Sequence, residues 1–167
     1  MTTPALVDVA LTVNGVPYSM TVPTQAVLAD VLRERMGLKG CKVACDAAVC
    51  GACTVLVNDL PVAACSTFAF EAGGAEVTTI EGLGSPSAPH LLQQVFLERD
   101  AFQCGFCTPG MILTAKALLD AHPDPDAATI RAWLSGNLCR CTGYQMIVEA
   151  VQAAAALMRE RNAGARP

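Results

Sequence analysis

Nine cysteines stand at positions 41, 45, 50, 53, 65, 104, 107, 139 and 141 of a 167-residue chain. An odd number of thiols cannot pair completely, and Met1 to Leu11 carries neither a charged leader segment nor an apolar core of a signal. In a reducing compartment, thiols at this density indicate metal ligation rather than disulfides. Cys45, Cys50 and Cys53 form C-x4-C-x2-C, and Cys65 follows downstream. Three thiolates on one tight loop can wrap one side of a two-iron, two-sulfide rhomb. A fourth, arriving from a separate strand, pins that loop to a sheet.

This is the spacing of plant-type two-iron clusters. Gly51 lets backbone amides approach such a cluster, and N–H bonds to its sulfurs raise its potential. A structural zinc site usually pairs two C-x(2–4)-C units across a longer gap, unlike this arrangement of three cysteines and one. Cys41 is left over and is read as a buried or reactive free thiol. The second set, Cys104-Gly-Phe-Cys107 and Cys139-Arg-Cys141, forms two close pairs near expected helix starts. Helix N-termini stabilise thiolates and anionic clusters. Facing pairs can clamp a second two-iron cluster, and by spacing alone a four-thiolate zinc ion stays open.

The elements that must position these thiols follow from pattern. Leu6 to Val13 and Val16 to Val22 alternate about Asn14-Gly15, a hairpin signal. Thr24 predicts the cap of a helix over 25–36 that Gly37 closes. The cysteine loop spans 40–53. Thr54 to Val57 and Pro61 to Cys65 predict a second hairpin around Asn58-Asp59, and Val77 to Ile80 one more strand. Glu81 to Pro89, rich in Gly, Ser and Pro, marks a boundary. Beyond it the pattern is helical. Leu91, Leu92, Val95 and Phe96 mark one helix. Thr108-Pro109 opens another to about Ala121, Asp124-Pro125 opens a third that closes at Gly136, and a last helix runs from about Tyr144 to Arg159.

Apolar residues make up 53% and charged residues 16%, against roughly 45–50% and about 25% in ordinary domains. The excess predicts surface buried against partner subunits, with alanine richness as the blander reading. Net charge is −4 without a basic block, which argues against nucleic acid. No apolar run reaches the roughly 18 residues of a membrane span, so a cytoplasmic location is the default. Domains below about 80 residues often need a metal staple, and a cluster in each half meets that need.

Gln103-Cys-Gly-Phe-Cys-Thr-Pro-Gly110, followed by Gly136-Asn-Leu-Cys-Arg-Cys-Thr-Gly-Tyr144, resembles the iron–sulfur subunit of the xanthine oxidase family of molybdenum hydroxylases. Cys50-Gly-Ala-Cys-Thr-Val55 is similar to that family's ferredoxin-like domain. The resemblance covers about residues 5–156. It implies an α+β chain: a plant-ferredoxin-like (β-grasp) domain over 1–82, a four-helix bundle domain over 83–160, and a tail over 161–167. Carried over by motif, Cys45, Cys50, Cys53 and Cys65 hold a distal 2Fe–2S cluster. Cys104, Cys107, Cys139 and Cys141 hold a molybdenum-proximal one. Gln103 matches the glutamine that hydrogen-bonds the molybdopterin of the partner, and Cys141 lies near the pterin edge.

The resemblance further implies two partner chains in a dimer of heterotrimers. A large subunit carries molybdenum on molybdopterin cytosine dinucleotide and hydroxylates an N-heterocycle (purine-like) or an aldehyde. A medium subunit carries FAD. Electrons pass from molybdenum through the two clusters to FAD. Many relatives have C-G-E-G-G-C between the first two ligands, whereas this chain reads Cys45-Asp-Ala-Ala-Val-Cys50. The alternatives are a free-standing double-cluster ferredoxin and a structural zinc module. No Ser/His/Asp or Cys/His nucleophile set and no phosphate-binding glycine loop stands in the sequence, so the chain's expected part in catalysis is electron removal. His90 and His122 read as solvated helix-end residues, Trp133 as core or interface, and Arg140 as either a partner of the anionic cluster or solvated.

Overall fold

Alternation of β-rich residues on both sides of Asn14-Gly15 produces the first hairpin. β1 (Leu6–Val13) and β2 (Val16–Pro23) pair antiparallel, and the turn residues take φ of +51° and +77°. The computed structural model describes residues 4–164; the first three and last three residues, part of the stretches read for a leader and a tail, lie outside the described residues.

The helix expected over 25–36 is shorter. α1 (Leu28–Asp30) begins after Val27, which caps nothing with its side chain, and continues as a π turn over Val31–Arg35. Thr24 is not its cap. The Thr24 amide donates to the Ala5 carbonyl at 2.9 Å, and Val27 bridges to Phe68. Those backbone groups are satisfied in extended pairing, so helix can start only beyond them. Gly37, at φ +74°, ends the segment as expected.

β3 (Thr54–Val57) and β4 (Leu60–Ala63) make the second hairpin, with Asn58 and Asp59 both left-handed. β4 therefore ends at Ala63, and Cys65 sits in the following turn rather than in the strand. β5 (Glu76–Thr78) stops sooner than expected because the Asn14 side chain accepts the Thr79 amide at 2.8 Å. The sheet order is β2-β1-β5-β3-β4, with β1 and β5 parallel and the other pairs antiparallel. Its core gathers Leu11, Val22, Leu28, Leu32, Val55 and Val77, and it takes in the thiols of Cys41, Cys53 and Cys65.

A single helical turn absent from the sequence reading, α2 (Ile80–Leu83), leads to the longer helices: α3 (Leu91–Glu98), α4 (Thr108–Ala121), α5 (Ala127–Trp133) and α6 (Gln145–Gly164). Leu92, Phe96, Met111, Leu118, Ile130 and Val151 fill their common core. Capping shifts by a residue or two from expectation. Cys107 is the N-cap of α4, which places Thr108 inside the helix; Asp126, not Asp124, caps α5 by accepting from Thr129 N–H at 2.7 Å. A 3-10 turn over Leu134–Gly136 completes that segment up to the expected glycine. His90 is half-buried, not a solvated end: its Nδ1 accepts from Leu92 N–H at 3.2 Å at the start of α3. α6 runs to Gly164, past the tail expected from Arg161, because Arg161 and Ala163 are good helix formers and a basic last turn suits the helix dipole. Among the described residues no helix is long and apolar enough to cross a membrane.

The two halves meet where β3 packs on α4. Leu56, Leu113 and Ala117 bury against one another there, with Trp133 alongside. Glu81 ties the connection down, accepting from Gly40 N–H at 2.7 Å and from the Thr79 hydroxyl at 2.7 Å.

Candidate iron–sulfur sites

The first cysteine loop has little regular structure, which leaves its backbone amides free to turn inward. Asp46 (φ +51°) and Ala48 (φ +54°) adopt left-handed backbone, and both stand where the C-G-E-G-G-C pattern has glycine. The loop therefore keeps a glycine-type path with non-glycine residues, at a cost of about 1–2 kcal/mol for the alanine. That path aims amides at Cys45. N–H groups of Val49 and Ala47, then the Cys50 side chain and amide, pull its thiol down to about 6. Cys45 is exposed and Cys50 half-buried, while Cys53 and Cys65 lie in the sheet core. Burial pushes Cys53 up to about 11.

The second set sits where two elements converge. Cys104 precedes α4, Cys107 caps it, and Cys139 and Cys141 follow the 3-10 turn. The Cys104 and Cys141 sulfurs are 3.6 Å apart, and both residues are exposed. Cys107 and Cys139 lie within hydrogen-bond reach of each other and pack against the helical core. Burial, then the neighbouring Cys139, raises Cys107 to about 12. At Cys139 burial opposes ionisation, but the Thr142 hydroxyl (3.1 Å) and amide (3.4 Å) donate to its sulfur and leave the thiol below its ordinary value. Tyr144, held at φ +70°, accepts the Cys139 amide on its hydroxyl at 2.8 Å.

Both sets resolve into pairs: Cys45 with Cys50, Cys53 with Cys65, Cys104 with Cys141, Cys107 with Cys139. Among the described residues no three His, Cys, Asp or Glu side chains converge on one point as around a single ion. Two pairs per set is the donor arrangement of a centre with two irons, each taking two thiolates, so the residues present fit that group. Gln103 is exposed beside Cys104, and Arg140 is exposed between Cys139 and Cys141.

The loops of the two sets touch. Leu138 N–H donates to the Cys50 carbonyl at 2.8 Å. A Cβ on Gly51 would lie 2.4 Å from the Gly136 carbonyl, and one on Gly110 would lie 2.3 Å from the Gly51 carbonyl. Glycine at 51 thus serves a role the sequence reading did not give it: it lets the backbones of the two halves meet.

Residues 11–77 match the family described as "2Fe-2S iron-sulfur cluster binding domain", and residues 79–152 match the "[2Fe-2S] binding domain". The nicotinate dehydrogenase small FeS subunit of Eubacterium barkeri is 49% identical over 146 residues, covering 87% of this chain and 93% of its own length. The solved quinoline 2-oxidoreductase from Pseudomonas putida 86 superposes with a TM-score of 0.88 at 42% identity, covering 93% of this chain and 97% of the matched one.

The chain belongs to the iron–sulfur subunits of the xanthine oxidase family.

An iron–sulfur subunit of this family is also similar to part of a much longer protein. The aldehyde oxidoreductase of Megalodesulfovibrio gigas is 44% identical over 156 residues, and this chain spans 17% of that relative's length. The two matched regions abut at residues 77 and 79, where Asn14 and Glu81 hold the backbone of the subunit.

Cys41 lies outside the spacing of both sets of this iron–sulfur subunit, although it packs in the same sheet core as Cys53 and Cys65. It is buried, its thiol points at the Cys53 carbonyl at 3.5 Å, and burial pushes it up to about 12. Of the two readings offered by sequence, the buried thiol holds. Cys41→Ser should keep the iron content and visible spectrum of the subunit while lowering stability by about 1–2 kcal/mol through a hydroxyl placed in an apolar site. Loss of half the iron in that variant would make Cys41 a ligand.

Proposed function

We propose that this chain is the electron-transfer subunit of a heterotrimeric molybdenum hydroxylase. Cys45, Cys50, Cys53 and Cys65 hold the distal 2Fe–2S cluster; Cys104, Cys107, Cys139 and Cys141 hold the molybdenum-proximal one. When bound, each cluster supplies a one-electron couple whose iron charge offsets the unfavourable ionisation of the buried thiols. The division follows the resemblance: a ferredoxin-like (β-grasp) unit over 1–82 and a helical bundle over 83–160.

The observation that carries the reading is the hydrogen bond between Leu138 and Cys50. It completes a continuous bonded route from Cys139 to Cys50, so the two thiol sets are joined by backbone alone. Each set also has an exposed end. Cys104 and Cys141 are open to a partner at one end, and Cys45 at the other. In this reading the large subunit, with molybdopterin cytosine dinucleotide, docks over Gln103 and Cys141, and Gln103 offers its amide to the pterin. The medium subunit, with FAD, approaches the Cys45 loop. The assembly is a dimer of such heterotrimers, and the substrate is an N-heterocycle or an aldehyde oxidised in the large subunit.

The residues of the chain contribute orientation. Thr142 and Tyr144 hold Cys139; the amides of Ala47 and Val49 hold Cys45. The apolar cores behind Cys53 and Cys107 exclude water.

Native purification from cells expressing the neighbouring genes tests the proposal. A complex containing molybdenum, FAD and iron is expected, with both iron–sulfur EPR signals appearing on addition of the oxidisable heterocycle or aldehyde. A chain eluting alone near 17.4 kDa with its iron would make it a free ferredoxin instead. A colourless, zinc-loaded chain would end both readings.

A further inference from the structure

Asn137 is 4% exposed, and its whole carboxamide is engaged across the contact between the halves. Its NH2 group donates to the Gly51 carbonyl at 3.0 Å and to the Thr54 hydroxyl at 3.2 Å. Its carbonyl oxygen accepts from the Thr114 hydroxyl at 2.9 Å. Those partners stand on three different elements: the first cysteine loop, the start of β3 and the interior of α4.

The network is closed. Thr54 also donates to the Gly51 carbonyl, from its amide at 3.1 Å and from its hydroxyl at 2.8 Å. The Gly51 carbonyl therefore receives three donors, and it lies between Cys50 and Cys53. One residue beyond Asn137, the Leu138 amide holds the Cys50 carbonyl. Residues 137 and 138 thus grip consecutive carbonyls of one cysteine loop while leading directly into Cys139. Only a side chain that donates twice and accepts once satisfies all three partners. Aspartate lacks the donors, and leucine of similar shape leaves buried polar groups unpaired.

We infer that Asn137 is a positioning residue for electron passage between the two centres. It acts through the Gly51 carbonyl and the Leu138 amide, fixing the separation and mutual orientation of the thiol sets without ligating either. The inference rests on the two-cluster reading given above. Gly51 and Gly110 remove the side chains that would hold the backbones apart, and Asn137 supplies the bonds that hold them together. Thr114 in turn orients the carboxamide from α4.

The test uses the full chain carrying its clusters, reduced with dithionite. Two readouts are followed: the splitting of the EPR signals that arises from interaction between the reduced centres, and hydrogen exchange at the Leu138 amide. Asn137→Ala should keep both EPR signals and the iron content, lose splitting, and exchange faster at Leu138. Thr114→Val, which leaves Asn137 in place, should move both readouts the same way by less. Thr114→Ser, which restores the hydroxyl, should match the unsubstituted chain.

Unchanged splitting and unchanged Leu138 exchange in Asn137→Ala would overturn the inference. So would loss of a cluster in Asn137→Ala together with wild-type behaviour of Thr114→Val on both readouts, since Asn137 would then only maintain the fold. Fewer than two EPR signals in the unsubstituted chain sinks the cluster reading instead. Leu138 exchange then still decides whether Asn137 holds the contact.

Discussion

Cys65→Ser is expected to abolish one of two iron centres and leave the other spectroscopically intact. Cys65 lies in the turn after β4, buried in the sheet core and paired with Cys53. The hydroxyl of serine is a poor thiolate substitute, and Cys53 loses the partner with which it would share an iron. Iron and sulfide per chain should fall by about half, because ligand loss removes a whole cluster while the other half keeps its own staple. Cys107→Ser should give the mirror result, since Cys107 caps α4 and pairs with Cys139 in the other half. EPR of the two reduced variants should then show complementary single signals. Two variants with the same surviving signal would mean that the eight thiols are not divided as proposed.

The second large effect is expected at Gly51. Its φ of +65° disfavours any side chain, which costs about 1–2 kcal/mol. An alanine methyl would also meet the Gly136 carbonyl at 2.4 Å and the Asn137 side-chain nitrogen at 2.6 Å. Forcing atoms into such a contact costs about 1–3 kcal/mol more. At 2–4 °C per kcal/mol for a chain of this size, Gly51→Ala should lower Tm by on the order of 10 °C. Gly74→Ala provides the comparison. Gly74 is also left-handed, at φ +75°, but nothing lies within 4 Å of its would-be Cβ, so only the backbone cost of about 1–2 kcal/mol applies. Equal thermal shifts in the two variants would refute the close backbone contact at Gly51.

Much of this molecule was legible from local pattern. Both hairpins follow from Asn14-Gly15 and Asn58-Asp59, residues that accept left-handed backbone, flanked by alternating strands. The longer helices follow from apolar periodicity and from Pro109 near the start of α4. What the sequence concealed was set by contacts distant in the chain. Thr24 is a good cap by type, yet pairing with Ala5 takes its amide into the sheet. Thr79 reads as strand, but Asn14, 65 residues earlier, ends the strand there. His90 reads as a solvated end residue until its ring is seen capping α3.

The cysteines themselves were legible because spacing alone limits which thiols can share a centre. Their supports were not. Asn137, Thr142 and Tyr144 lie inside the recognised motif string, but nothing in residue type alone says which of them faces a sulfur and which faces the other half. The one available signal was the polar Asn137 two residues ahead of Cys139 and flanked by Gly136 and Leu138, where a buried amide needs partners.

The backbone contact at Gly51, Gly110 and Gly136 has a consequence for how such chains can be recombined. A chimaera that takes its sheet half from one relative and its helical half from another inherits two surfaces shaped against different neighbours. Such a graft should dock only if 51, 54, 110, 114 and 136–138 travel as one block. Modularity therefore ends at this cross-over: the two halves can be exchanged as folds, but the joint between them must come from a single parent.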